Sequence, residues 1–359
     1  MPVIQEGLAK VDARAGVFYN PRMEINRDIV SAAVGAAGAK TYCDGHSASG
    51  IKAIRVCLEN PQIERVDAVD LSKRACSIIQ SNVALNGCSK ITVLNDDLRR
   101  VLLSHNYDFV EIDPFGTPVP FLDALSTSLS WRKQGYISIT ATDTAVLCGA
   151  EVRACRRNYG SVPLHDECVH EGGLRILIKK VQESFAPNGI AVEPLLSLSH
   201  RHYLKIIARC VRSAAKCDAS LRQIAYLHYC PQCKHREYAH AGKNAVCSAC
   251  GSAMRVHGPY WAGRLHNDEF LNALGEEIAR RGYRSADEEL ALLDVVRGEN
   301  FTGHCYDLHK LFRGTNPPKT GQIVKQLRSG GFKAAETQYK GWIIRTDATV
   351  ADICGLFAK

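Results

Sequence analysis

The chain has 359 residues, 46% hydrophobic and 23% charged, an ordinary globular usage that excludes a disordered or fibrous chain. Lysine and arginine number 45 against 37 aspartate and glutamate, and the net charge of +8 permits a polyanionic partner without requiring one. No apolar run reaches the roughly 20 residues of a membrane span, residues 1–10 lack the apolar centre of a signal peptide, and 15 cysteines, an odd number, fit a reducing cytoplasm better than a disulfide scaffold.

At roughly 100–200 residues per domain, two domains are expected. Short runs rich in β-branched or aromatic residues, each closed by turn or capping residues, predict strands at 40–43, 65–69, 91–94, 109–112 and 135–140. Helical periodicity covers 72–85 and 174–185, and strand-like runs follow at 191–198 and 203–211 with no full helix between them. This alternation predicts an α/β fold: a mostly parallel sheet, helices on both faces and an antiparallel hairpin at one edge. A small, polar stretch at 212–218 marks a boundary, so the chain divides into 1–212 and 213–359. The second part holds a Cys-rich insert at about 228–256, a helical acidic region at 268–297 and a basic tail punctuated at Gly314, Pro317, Pro318, Gly330 and Gly331. Eight Lys/Arg fall in 201–240 and eight in 301–345. A phosphate-tracking surface needs such segments, but the solvated faces of ordinary basic helices look the same.

Chemistry concentrates at the ends of the first four strands. Asp44-Gly45-His46-Ser47-Ala48-Ser49-Gly50 follows the first strand and runs into a helix at Ile51. Its glycines allow close approach of the backbone to a ligand, although the spacing departs from the dinucleotide pattern GxGxxG. Asp70 closes the second strand, where a carboxylate can accept both ribose hydroxyls of a nucleoside-bearing cofactor. Asp96 and Asp97 follow the third, within reach of an adenine amino group. Any one of these acids alone is more often a helix N-cap; three on successive strands line one crevice. The fourth strand ends in Asp113-Pro114-Phe115-Gly116. Methylating an amino group requires an acceptor for the amine, a flat surface against the base and a rigid turn, which Asp113, Phe115 and Pro114 supply in that order.

Cys230-x2-Cys233 and Cys247-x2-Cys250 stand 13 residues apart. Four thiolates at this spacing can close a tetrahedral zinc site of the structural kind; two disulfides or a coincidence are the bland readings, and a reducing compartment disfavours them. Lone histidines such as His165, His200 and His202 read as hydrogen-bonded or surface residues, and His170 as a packing residue.

Several motifs occur in one order: Phe18-Tyr19-Asn20-Pro21-Arg22 through Arg27-Asp28, Ser47-Ala48-Ser49-Gly50-Ile51-Lys52-Ala53-Ile54-Arg55, Asp113-Pro114-Phe115-Gly116, Ala141-Thr142-Asp143-Thr144-Ala145, and His170-Glu171-Gly172-Gly173-Leu174-Arg175. Together they resemble the tRNA (guanine-26-N2)-dimethyltransferase family, archaeal members above all, from about Glu6 to Asp347. The resemblance implies a class I (Rossmann-like) S-adenosylmethionine-dependent methyltransferase domain with a smaller C-terminal α/β domain carrying the zinc ribbon and binding tRNA. It implies transfer of one or two methyl groups to the exocyclic N2 of guanine 26. By the same resemblance Arg27, Arg55, Asp70, Asp97 and Leu98 look like the cofactor contacts, Asp113 like the catalytic aspartate, and Phe18 and Phe115 like the aromatics that hold the target base. Asp143 looks like a residue bordering the pocket. His46 departs from the pattern, since an apolar residue is usual there. The chain is expected to act in the cytoplasm, as a monomer, on tRNA. Its rivals are an amino methyltransferase of another RNA or of DNA, and a non-catalytic zinc-ribbon tRNA-binding protein; a nicotinamide dehydrogenase is disfavoured by the missing GxGxxG.

Overall fold

The first two strands, Ile4–Glu6 (β1) and Ala9–Val11 (β2), pair antiparallel, and Ala9 and Val11 are buried against Ile51 and Ile54 of the following domain. The protein is described by a computed structural model over residues 3–12, 18–240, 246–313 and 318–356; the expected turn residues Gly314 and Pro317 lie outside these. The central sheet comprises Thr41–Gly45 (β3), Arg65–Val69 (β4), Ile91–Leu94 (β5), Phe109–Ile112 (β6), Gln134–Ala141 (β7), Ile190–His200 (β8) and Tyr203–Arg212 (β9). Its order is β5-β4-β3-β6-β7-β9-β8, with β3 to β7 parallel and β9 antiparallel to both its neighbours. The edge hairpin expected from the missing helix is therefore β8–β9.

Strand residues alternate between two cores, as the period of two requires. Tyr42, Val66 and Phe109 pack with the helices Glu24–Ala36 and Ile51–Glu59, while Cys43, Val110 and Ile112 pack with Leu122–Leu129 and Val169–Phe185. Ser72 caps the helix Lys73–Leu85 through the Ala75 N–H at 3.3 Å. The helix Val169–Phe185 starts five residues before its expected start at 174, because Gly172 and Gly173 are helical. Gly173 is there for contact: a Cβ would lie 2.6 Å from Leu204 Cδ1 of β9.

Hydrophobic packing does not stop at Arg212. The strands Ile224–Tyr229 (β10), Arg236–Ala239 (β11) and Arg255–Trp261 (β12) form a small antiparallel sheet of order β11-β10-β12. Leu227, Tyr260 and Trp261 of this sheet join one face of the central core. The acidic region is two helices, Asp268–Arg281 and Ala286–Gly298, whose Phe270, Leu274, Ile278 and Leu293 join the other face. The last portion has its own core: His304–Asp307 (β13), Ala334–Glu336 (β14) and Ile343–Thr346 (β15), ordered β13-β15-β14, enclose Tyr306, Ile344, Ile323, Leu327 and Ile353.

The basic segments prove heterogeneous. Lys205, Arg236 and Arg345 are buried in internal ion pairs with Glu111, with Asp166 and Glu167, and with Glu171 respectively. Arg201, Arg212, Lys216 and Arg222 are exposed in the first segment, and Arg313, Lys319, Lys325, Arg328, Lys333 and Lys340 in the second. A phosphate-facing surface can draw on the latter residues. The count along the sequence could not separate them, since a lysine inside a strand carries the same formal charge as one on a helix face.

Candidate active site

The strand order reverses between β3 and β6, and a crevice opens beyond their carboxyl ends, where open α/β sheets bind ligands. It is a cleft of about 1010 Å³. On leaving β3 the chain takes positive φ at His46 (69°), Ala48 (50°) and Gly50 (78°), alternating with ordinary values between them. Such alternation curls successive N–H groups toward one concavity. Gly50 is required twice over: its φ favours glycine, and a Cβ would stand 2.9 Å from Ile79 Cγ2. Asp70 spans this loop, one oxygen accepting the Ala48 N–H at 3.0 Å and the other the Ser72 N–H at 2.8 Å. Asp97 caps the helix Leu98–Ser104 by accepting the Arg99 N–H at 2.9 Å. The Arg99 side chain also donates to it at 2.6 Å, and that bond, against the opposing effect of partial burial, brings Asp97 down to about 2. Asp70, Leu71, Asp96, Asp97 and Leu98 all line the cleft; Asp97 arrives there with its carboxylate already engaged.

The opposite end of the cleft holds buried charge. Lys52, on the first turn of Ile51–Glu59, donates to Glu111 at 2.7 Å and closely to Asp113. Glu111 also accepts from Lys205 at 3.0 Å, and Lys205 donates to Thr140 at 2.9 Å. Glu111 and Asp113 lie two residues apart, on one face of the strand and its continuation. Burial by itself would raise Asp113, but Lys52 and then Lys205 outweigh it and hold its carboxyl below the usual range. Asp44, at the end of β3, is also buried, and burial drives it up to about 7 although Lys52 opposes the shift. Its Oδ2 has no hydrogen-bond partner among the described residues.

At the rim, Phe18 and Phe115 meet edge to face with ring centroids 5.0 Å apart, and both are largely exposed, Phe115 at 80%. A protein gains nothing by leaving two such rings in water unless they meet a ligand. Gly116 donates to Thr142 Oγ1 at 2.7 Å, which ties the Asp-Pro-Phe-Gly turn to the end of β7. Asp143, expected at the pocket border, faces inward and accepts from the Tyr159 hydroxyl at 2.8 Å.

The two expected arginines part company. Arg27 lines the cleft and is held by Glu6 through Nε at 2.6 Å and Nη2 at 2.5 Å. Arg55 does not reach the cleft: it is fully buried among Glu6 (2.9 Å), Asp28 (2.5 Å) and Glu59 (2.8 Å). The physical reason is helix geometry. In Ile51–Glu59 residues 52 and 55 are three apart, neighbours on one side of the helix one turn from each other. Lys52, on the first turn, reaches Glu111 and Asp113, whereas Arg55, a turn further on, is drawn to Glu6, Asp28 and Glu59. Arg55, expected as a cofactor contact, is therefore linked to the cleft through the Glu6 carboxylate it shares with Arg27.

Reasoning from the sequence missed Lys52, Glu111, Lys205 and Glu6, and placed Asp44 on the crevice without giving it a role. A signal existed for two of them: Glu111 and Lys205 are charges inside otherwise apolar strands, FVEI and YLKIIA, which is costly unless the charges are paired.

The four cysteines also converge. Their sulfurs all lie within 4.8 Å of one another, with Cys230–Cys250 at 3.5 Å and Cys233–Cys247 at 3.6 Å. Tetrahedral zinc with bonds of about 2.3 Å separates its sulfurs by roughly 3.8 Å, so this thiol set is compatible with structural zinc. A second cluster, Asp166, Glu167 and Cys168, is instead occupied by Arg236 at 2.6–2.8 Å.

Comparison with known proteins gives one answer. The sequence model of the family described as N2,N2-dimethylguanosine tRNA methyltransferase matches residues 2–357. A tRNA (guanine(26)-N(2))-dimethyltransferase of Methanothermobacter thermautotrophicus is 35% identical, the match covering 96% of this chain and 93% of the relative. A tRNA (guanine(26)-N(2)/guanine(27)-N(2))-dimethyltransferase of Aquifex aeolicus is also 35% identical, over 98% and 95%. The solved structure of Trm1 from Pyrococcus horikoshii, a complex with S-adenosyl-L-methionine, superposes with a TM-score of 0.92 at 29% identity, covering 99% of both chains. Fold, motif order and full-length similarity agree: the chain belongs to the N2,N2-dimethylguanosine tRNA methyltransferase family.

Proposed function

We propose that this protein transfers one or two methyl groups from S-adenosylmethionine to the exocyclic N2 of guanine 26 in tRNA. The observation that carries the reading is that Asp113, the two exposed rings Phe18 and Phe115, and the strand-end acid Asp70 line one cleft. S-adenosylmethionine, when bound, supplies a sulfonium methyl group that an amine can attack directly. Asp70 suits the ribose hydroxyls, Leu71, Leu98 and Asp97 suit the adenine, and Arg27 faces the cleft from the Glu6 clamp. The guanine must leave the tRNA core, at a cost of a few kcal/mol; stacking on Phe18 and Phe115, worth about 1–3 kcal/mol per base, offsets that.

Asp113 works as a positioned acceptor. The N2 lone pair is delocalised into the guanine ring, and a carboxylate hydrogen-bonded to one N–H turns that pair toward the methyl group. Lys52 occupies Oδ2 of Asp113, which leaves Oδ1 for the substrate. A carboxylate held below its usual range is a weak base, so it takes the proton only as the N–C bond forms and the amine becomes acidic. Holding the partners in place contributes most of the acceleration, because well-oriented reactions reach effective molarities of about 10⁵–10⁸ M.

Residues 213–359 are the tRNA-binding part in this reading, with 1–212 carrying the chemistry. Cys230, Cys233, Cys247 and Cys250 would hold a structural zinc ion that fixes the ribbon. Action as a monomer belongs to this reading. No described helix is long and apolar enough to cross a membrane; a cytoplasmic site of action belongs to this reading.

The test is transfer from labelled S-adenosylmethionine to an unmodified tRNA transcript, followed by nucleoside mass spectrometry. N2-methylated guanosine that disappears when adenine replaces guanine 26 is the expected result. Because the Aquifex relative is named for guanine 27 as well, a transcript with guanine only at position 27 separates the two positions. No product from either transcript, with donor binding intact, overturns the assignment.

A further inference from the structure

The β8–β9 hairpin turns in two residues, His200 pairing with Tyr203 across Arg201 and His202. Arg201 has φ of 51°, and His202 does not share the positive sign. Positive φ at the first central residue alone is the pattern of a type II′ turn, whose first position is normally glycine. A side chain there is strained, because its Cβ crowds the backbone at positive φ. Strain of this kind persists where it serves a purpose, and the side chain in question is an exposed guanidinium that lines the cleft.

The register fixes which end of the cleft it faces. Leu204 of β9 pairs with Ala141 of β7, and the next residue on β7's side, Thr142, accepts the Gly116 N–H. The hairpin tip is therefore beside the Asp113–Gly116 turn, at the base end and away from Asp70 and Asp97. Tyr203, buried at the start of β9, anchors it there. On the same cleft, Arg22 follows Phe18 by four residues and is exposed as well. Neither arginine meets a carboxylate among the described residues; Arg201's one polar contact is with His200 Nε2 at 3.1 Å. Two unpaired guanidiniums beside two exposed rings match a nucleotide whose base is stacked and whose phosphates lie at the rim.

We infer that Arg201, with Arg22 alongside it, grips the phosphates that flank the flipped guanosine, so that the hairpin tip holds the extruded nucleotide's backbone while Phe18 and Phe115 hold its base. The inference rests on the tRNA-methyltransferase reading above. Guanidinium is the suitable group because its fork binds phosphate in two-point fashion, and glycine, which would suit the turn, cannot provide it.

The experiment uses the full chain with Arg201→Gly and Arg201→Lys, each measured for tRNA affinity over a salt series, for S-adenosylmethionine affinity and for Tm. Arg201→Gly is expected to weaken tRNA binding about tenfold, the loss of one charge-assisted contact. The slope of log K against log salt should become shallower by about 0.7–0.9, one phosphate fewer. Donor affinity should not change, and Tm should be equal or higher, since glycine accepts the turn. Arg201→Lys should keep the slope while losing part of the affinity. Wild-type tRNA affinity and slope in Arg201→Gly overturn the inference, and so does a lowered Tm, because the turn would then not be the strained position argued here. A wild-type protein that binds the donor yet neither binds nor methylates tRNA overturns the underlying reading together with this one.

Discussion

Two of the buried charge clusters in this protein differ in a way that separates function from architecture. One, around Asp44, Lys52, Glu111 and Asp113, borders a cleft of about 1010 Å³. The other joins the helix Val169–Phe185 to the C-terminal part: Glu171 meets Arg175 at 2.7 Å and Arg345 at 3.1 Å. The space inside this second cluster is about 30 Å³, room for a water molecule or two. Burial would raise Glu171, but Arg345 and Arg175 outweigh it and hold it far below the usual range. The seam pairs Glu171 with two arginines around almost no free space, although Arg345 Nη2 and Glu299 Oε2 lack hydrogen-bond partners there among the described residues. The cleft cluster instead borders open space, with one oxygen of Asp113 free of Lys52. Charge closed on itself holds elements together; charge left open toward a cleft waits for substrate.

The comparison breaks most sharply at Asp113. Asp113→Asn should lower the transfer rate about 10²–10⁴-fold, the range for loss of a positioned proton acceptor, while donor binding and Tm stay near wild type. Lys52→Met sharpens the test through pH. The Asp113 carboxyl lies below its ordinary 3.8, so wild-type activity should show no acid limb from it between pH 5 and 8. Without the ammonium, burial prevails and the limb should move up by about 1–3 pH units. An unmoved limb in a folded Lys52→Met protein would remove Lys52 from the account. On the seam side, Arg345→Met should cost about 3–5 kcal/mol in urea unfolding, the usual penalty for breaking a buried pair. Its turnover at low temperature should remain close to wild type. A large rate loss with stability intact would mean that the seam belongs to the catalytic apparatus after all.

The sheet was legible because its strands are short apolar runs separated by helices of the right period, and the strand-end acids Asp70 and Asp97 were legible from their position alone. What stayed hidden was side-chain direction. Arg55 and Lys52 sit in one motif, and only the packing of Ile51–Glu59 decides that the lysine faces the cleft. The seam was hidden for another reason: Glu171 and Arg345 are 174 residues apart, and no local pattern links them. The motif His170 to Arg175 reads in the structure as packing and pairing, with His170 Nδ1 3.8 Å from Cys148 Sγ, as its bland interpretation expected. The division at 212 was read from composition, and composition does not register that Leu227 and Phe270 complete the cores of the preceding sheet.

Asp44 offers a smaller effect with a definite sign. Its native carboxyl titrates near 7, raised by burial, against an ordinary 3.8. Between those values the native state holds a proton that the unfolded chain has lost. Stability therefore falls as pH rises from about 4 to 7 and levels off above. The surrounding charges are Lys52, Glu111, Asp113 and the neighbouring His46, and all remain in Asp44→Asn. That variant should lose this component of the slope, so its Tm should gain on wild type between pH 5 and 8. A carboxylate is what a cationic donor would draw out of the protonated state, and Asp44→Asn should also weaken S-adenosylmethionine binding. Parallel pH–stability curves for the two proteins would show that Asp44 is ionised throughout and held by a partner.

The smallest effect is expected at Arg99, where the cleft meets ordinary surface electrostatics. Arg99 holds both oxygens of Asp97, at 3.0 Å to Oδ1 and 2.6 Å to Oδ2, yet its own side chain is more than half exposed. Exposed pairs contribute little to folding because water and salt compete for both partners, so Arg99→Ala should leave Tm within error. What changes is the state of Asp97. Once released, its carboxylate is free to meet an adenine amino group while its backbone cap to residue 99 persists. Donor affinity should then rise by a few-fold, most visibly at low salt, where the competing guanidinium is strongest. An affinity that falls would show that Arg99 itself contacts the donor, and the nucleoside end of the cleft would then be built, like the base end, around a cation as well as an acid.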